Sequence, residues 1–209
     1  MTDFSTIKNM IFDLGGVIIN LDLDKTYKSF SNISGISVDD IKSKLHFTQF
    51  WKDHEVGLIS DEDFRQNIKN LLQIDISDNK IDDIWNELLL DIPIERIKLL
   101  QKLSEKYNLF LLSNTNGIHY IKFTEILHQT SGIKGFHELF IKDYYSHNIQ
   151  MRKPNDDIYL HVLKENNLLP YQTVFIDDNY DNIKAATNLG IHTIHVIPPH
   201  TIIDLLENA

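Results

Sequence analysis

Apolar positions along the chain fall into two rhythms. Four short runs, Ile7–Phe12, Leu109–Leu112, Thr173–Ile176 and Thr193–Ile197, are dominated by apolar residues and each ends in polar or glycine residues. Such runs suit strands buried on both faces, as in a parallel sheet. Glu138–Ile141 is a weaker fifth candidate. Elsewhere the spacing is helical. Ile94–Lys106 aligns Ile97, Leu100 and Leu103 on one face, with Pro93 suited to the first helical position. Ile158–Leu168 and Ile183–Leu189 are also amphipathic, and Gly190 is a natural stop for the second. Strands alternating with helices predict a doubly wound α/β layer around a parallel sheet.

One interval breaks the alternation. The stretch from Asp13 to Ser113 is far longer than the ~30 residues a strand-helix-strand crossover needs. It carries helix signals of its own. Ser60 precedes Asp61, Glu62 and Asp63, a good helix start, and Phe64, Ile68, Leu71 and Leu72 continue as a stripe. Ser77 opens a further pattern with Ile81, Ile84, Trp85 and Leu88 on one face. Residues 20–91 are therefore expected to form an inserted helical cap, and residues 1–19 and 92–209 the α/β core. The chain shows no repeat and no low-complexity linker.

Composition narrows the function. A net charge of −10 disfavours non-specific binding to nucleic acid or to an anionic membrane. With no cysteine, disulfides, thiolate metal sites and cysteine nucleophiles are all excluded. The first ten residues are polar, and no apolar run approaches the ~20 residues of a membrane span, so a cytoplasmic protein is expected. A monomer or weak homodimer is the expected state.

Polar residues cluster where the runs end, the edge at which open parallel sheets bind ligands. Asp13 follows the first run and is followed by Gly15 and Gly16; Ser113-Asn114-Thr115-Asn116 follows the second; Arg152-Lys153-Pro154 precedes a helix; Asp177-Asp178 follows the third. A phosphate monoester repels an attacking carboxylate, so such a site must neutralise charge and fix the line of attack. A hard cation with oxygen ligands, such as Mg²⁺, reconciles several carboxylates. Ser113 and Asn114 can donate hydrogen bonds to phosphate oxygens, and Lys153 supplies balancing charge.

These four stretches, with the segment Glu55–Glu62, resemble the motifs of the haloacid dehalogenase-like hydrolase superfamily, in family order and over nearly the whole chain. The nearest resemblance is to bacterial sugar-phosphate phosphatases of the alpha-D-glucose-1-phosphate phosphatase type. It implies a Rossmann-like core with a cap inserted after the first motif. It also implies Mg²⁺-dependent hydrolysis of a small phosphorylated metabolite. Asp13 would be the nucleophile, forming an aspartyl-phosphate. Asp13, the Gly15 carbonyl and Asp178 would hold the metal, with Asp177 supporting it from behind those ligands or through water. Ser113 and Asn114 would bind the phosphoryl group, and Lys153 would orient Asp13.

One position departs from the family pattern. Most phosphatases of the superfamily carry a second Asp two residues after the nucleophile, as acid and base; here that residue is Gly15. An acidic anomeric leaving group would relieve the lack, or water, His46, His54 or Glu55 could stand in. Carbon–halogen hydrolysis and non-catalytic phospholigand binding are the alternatives. Asp22-Leu23-Asp24-Lys25-Thr26 imitates a nucleophile motif, but Asp24 there reads better as a helix cap. Phe50 and Trp51 could line a substrate pocket or pack in the core. His192 and His195 alternate across a strand and are not expected to bind metal.

Overall fold

The computed structural model describes residues 4–46, 48–207 and 209, without the side chain of His46. Among them, five parallel strands form one sheet in the order β3-β2-β1-β4-β5. These are β1 (Asn9–Phe12), β2 (Asn108–Ser113), β3 (Lys142–Tyr145), β4 (Thr173–Asp177) and β5 (His192–His195). Successive residues of the central strands point to opposite faces. Met10, Phe12, Leu109, Leu111, Val174 and Ile176 enter one apolar cluster, and Ile11, Phe110, Leu112 and Phe175 the other. Burial on both sides explains the near-continuous apolar runs.

Helices cover both faces. They are α6 (Ile94–Ser104), α7 (Gly117–Ser131), the single-turn α8 (Ser146–Ile149), α9 (Asp156–Glu165), α10 (Tyr180–Asn188) and α11 (Ile202–Leu206). Pro93 lies one residue outside α6, as its N-cap. The expected strand at Glu138–Ile141 is displaced. That stretch ends a 3₁₀ turn, Phe136–Glu138, and the strand runs over Lys142–Tyr145. β3 is an edge strand, so its Lys142 and Asp143 stay partly exposed and interrupt the apolar signal.

Among the described residues, five helices lie between β1 and α6: α1 (Leu23–Ser34), α2 (Val38–His46), α3 (Gln49–Glu55), α4 (Asp61–Leu72) and α5 (Asp78–Asn86). Phe30, Ile41, Phe64, Ile68, Ile81, Ile84 and Trp85 form a third apolar cluster, joined by Ile118 of α7. The Ser60 hydroxyl and the Asp63 carboxylate form a reciprocal capping box at the start of α4, as the sequence suggests. At α1 the cap is Asp22, whose side chain accepts from the Asp24 N–H, and not Asp24 itself. The helix starts two residues earlier than the Lys-Thr-Tyr run implied.

The chain leaves and rejoins the sheet side by side. The Asn20 N–H donates to the Asp91 carbonyl at 2.9 Å, the Leu90 N–H to the Asn20 carbonyl at 3.0 Å and the Asp22 N–H to the Leu88 carbonyl at 2.9 Å. Leu21 and Leu89 face each other in an antiparallel bridge there.

Candidate active site

From β1 the chain turns towards β2 and β3 on one side, and β4 and β5 add on the other. Ligands of such sheets gather at this switch, beyond the carboxyl ends of the strands. Phe12 is in register with Ile176, and the Asp13 N–H donates to the Ile176 carbonyl at 2.8 Å. Asp13 and Asp177 therefore emerge together from neighbouring strands. Ser113, buried, ends β2 on the other side of β1.

Lys153 links the strand ends. Its side chain is 1% exposed, with Nζ 2.8 Å from Asp13 Oδ1 and 2.7 Å from Asp177 Oδ2. Burial alone would depress its pKa; the two carboxylates reverse that and hold it above the ordinary lysine value. Burial pushes Asp13 up to about 7 against the pull of Lys153, and the charges of Asp177 and Asp178 add to the rise. Asp178 is also raised, by burial and by Asp177. Three carboxylates and one ammonium leave an excess of negative charge, with Asp13, Asp177 and Lys153 buried and Asp178 at the exposed rim.

A divalent cation would relieve that excess, and the residues fit one. Asp13, Asp177 and Asp178 each offer one carboxylate oxygen, and these lie within 4.8 Å of one another. An all-oxygen donor set suits Mg²⁺. The cradle is also shaped for it. Gly16 has φ +68°, and a Cβ there would run into the Asp178 carboxylate, so the turn leaves this acid its space. Asp177 is engaged on every side. It accepts from Lys153 Nζ, from the Asn179 N–H at 2.7 Å and from Asn182 Nδ2 at 3.0 and 3.2 Å. That saturation suits an indirect role toward a cation better than direct ligation.

Asn114 differs in detail from the sequence expectation. Its side-chain amide already clamps Lys153, donating to the Lys153 carbonyl at 2.9 Å and accepting from its N–H at 2.9 Å. Its second Nδ2–H and its main-chain N–H are left for a phosphoryl group. The groups considered as substitute acids are engaged as well. His54 is buried, with Nε2 2.8 Å from Asp61 Oδ1 and its ring stacked on Phe64. Glu55 pairs with Arg152 Nη2 at 2.9 Å. The side chain of His46 lies outside the described residues.

Several contributors carry no local sequence signal. The Ser146 hydroxyl accepts from the Thr115 N–H at 2.9 Å and donates to the Glu55 carbonyl at 2.5 Å, joining the strand ends to the α3 terminus. His195 Nε2 lies 2.9 Å from the Asp178 carbonyl. Asn182 could have been anticipated, since it sits three residues after the α10 cap Asn179 and faces back to Asp177. Beside Arg152, a cavity of about 260 Å³ is lined by Leu23, Tyr27, Trp51 and Lys52 among others. Trp51 thus borders a pocket and also packs edge-on against Trp85, while Phe50 packs on Phe64.

Fold and acidic centre together define a class: a Rossmann-like α/β protein whose polar chemistry is concentrated at the carboxyl edge of its sheet. The chain belongs to the haloacid dehalogenase-like hydrolase family, whose sequence profile matches residues 7–190. It is 27% identical over 187 residues to D-ribitol-5-phosphate phosphatase of Bacteroides thetaiotaomicron, covering 90% of each chain. It is also similar to the HAD family enzyme BT-2542 of that organism in complex with magnesium and inorganic phosphate. That match has 36% identity and a TM-score of 0.86, over 96% of this chain and 99% of the other. A predicted HAD-like family hydrolase from Porphyromonas gingivalis matches at 30% identity and a TM-score of 0.87, covering 97% of each chain. Among the described residues, no helix is long and apolar enough to cross a membrane.

Proposed function

We propose that this chain is a Mg²⁺-dependent phosphatase of small phosphomonoesters, acting through an aspartyl-phosphate on Asp13. The observation that carries the reading is the buried Asp13–Lys153–Asp177 arrangement at the switch of the sheet, with Asp178 beside it. Similarity to a sugar-alcohol phosphatase, and to a structure holding magnesium and phosphate, supports the same reaction class. A sugar phosphate such as alpha-D-glucose 1-phosphate is the proposed substrate, handled in the cytoplasm by a monomer or weak homodimer.

Asp13, the Gly15 carbonyl and Asp178 would hold the metal, with Asp177 acting through water. Bound there, Mg²⁺ supplies the positive charge that lets a carboxylate approach a phosphate dianion. The remaining work belongs to the chain. One Asp13 oxygen attacks phosphorus. Lys153 holds that carboxylate in line and offsets charge, and Asp177 fixes Lys153 from behind. The Ser113 hydroxyl and the Asn114 main-chain N–H bind the phosphoryl oxygens. Residues 20–91 act as the cap, and the cavity beside Arg152 receives the leaving group.

The test is phosphate release from a panel of sugar and sugar-alcohol phosphates. Release that requires Mg²⁺ and disappears in Asp13→Asn is expected. Equal release by the two proteins would refute the assignment. Metal-independent chloride release from a 2-haloacid would replace it with carbon–halogen hydrolysis.

A further inference from the structure

One buried hydroxyl touches both the helical insertion and the loop after β2. Ser146 follows β3 directly, is 0% exposed, and its oxygen accepts from the Thr115 N–H at 2.9 Å. A serine hydroxyl has one proton to give. Two carbonyls lie within its reach, that of Glu55 at the end of α3, at 2.5 Å, and that of Thr115, at 3.0 Å. The contact to Glu55 is the shorter, and the Thr115 carbonyl has a second neighbour in His147 Nδ1 at 3.2 Å. The proton therefore goes to Glu55. Thr115 N–H, Ser146 hydroxyl and Glu55 carbonyl then form one chain, in which each hydrogen bond polarises and strengthens the next.

Thr115 belongs to the loop that carries Ser113 and Asn114. That loop is laced to the Ser146–Lys153 stretch at both ends, by Ser146 on Thr115 and by the Asn114 amide on the Lys153 main chain. The insertion rests on the same two stretches at further points. Gly57, with φ +68°, lies against the His147 carbonyl and leaves no room there for a Cβ. The Asp61 carboxylate, bonded to His54, lies over Gly117, where a Cβ would be 3.0 Å from Oδ2. We infer that Ser146 is a positioning residue: it sets the loop of Ser113 and Asn114 according to where the end of α3 sits, and so makes phosphate affinity depend on the insertion. The inference rests on the phosphatase reading above and adds a residue that acts through the phosphoryl-binding groups, being itself fully buried. Without its hydroxyl the Thr115 N–H loses its acceptor in a buried place, and the loop must shift to satisfy it. The same loss disconnects the loop from α3.

Calorimetric titration with inorganic phosphate in the presence of Mg²⁺ tests this without requiring turnover. Ser146→Ala should weaken phosphate binding about tenfold with the number of sites per chain unchanged. A merely destabilised protein would lose sites and keep its affinity. A double-mutant cycle reads the link to α3. Glu55→Gln releases the separate tie to Arg152 and should weaken phosphate binding about threefold in the wild type, but hardly at all once Ser146 is alanine. Unchanged affinity in Ser146→Ala, or losses that simply multiply in the double variant, would overturn this inference and leave the phosphatase reading standing. Ester hydrolysis indifferent to Asp13→Asn would remove that reading, and the phosphate titrations would still decide the role of Ser146.

Discussion

Gly16 does two things that alanine could not do together. It adopts a positive φ, and it leaves the Asp178 carboxylate unobstructed. Gly16→Ala should displace Asp178 and raise the Mg²⁺ concentration for half-maximal activity roughly 10–100-fold, the usual cost of disturbing a metal site's support. A magnesium titration of the initial rate, with circular dichroism as a folding control, measures it. An unchanged titration would mean that Asp178 takes no part. His119 offers a different residue-scale prediction. It is buried, bonded through Nδ1 to Asn86 and stacked on Trp85, and burial pushes its pKa down to about 3. Unfolded, it titrates near 6.5, so the unfolded chain takes up a proton that the folded chain refuses. Its stabilising contribution is complete above that pH and falls as pH drops, by about 2 kcal/mol at pH 5. Asp13, raised by burial, pulls the slope the other way in the metal-free protein. Urea unfolding of wild type and His119→Asn from pH 7.5 to 5 isolates the histidine. Parallel slopes would contradict its burial as a neutral ring.

At the scale of elements, the α3 terminus is tied to the segment carrying Lys153. The Glu55 carbonyl takes the Ser146 hydroxyl, and its side chain takes Arg152. The ion pair is partly exposed, with side chains 18% and 29% accessible, so its worth is modest. Glu55→Gln is expected to lower kcat/KM roughly fivefold, about 1 kcal/mol, mainly through KM. The wild type should lose that advantage at high salt. A fall confined to kcat would instead make Glu55 a participant in the chemistry. This tie is also where sequence reading stops. Asp13 and Asp177 were legible because each ends an apolar run, and the caps at Ser60 and Ser77 because their partners lie three residues away. Glu55 with Arg152, and Leu21 against Gly15, are contacts between distant or turned segments and leave no periodic trace. β3 hides for a related reason: an edge strand keeps polar residues in its first half.

For the molecule as a whole, the parallel order and two-sided burial of the sheet bring motifs from four distant stretches to one edge. The fold was legible because that burial writes apolar runs into the sequence; the cavity beside Arg152 was not, because its walls come from α1, α2, α3 and the Arg152 segment, far apart in the chain. The paired crossing at Asn20–Asp22 and Leu88–Asp91 has a consequence of its own. Two chain passages zipped together where helices α1 to α5 leave and rejoin the sheet form a plug-in joint. Insertions of other sizes could be carried across the same ladder with the strand order unchanged. Leu21 belongs to that joint and also lies against Gly15 in the reactive turn, so a change of insertion would be transmitted to the space beside Asp13.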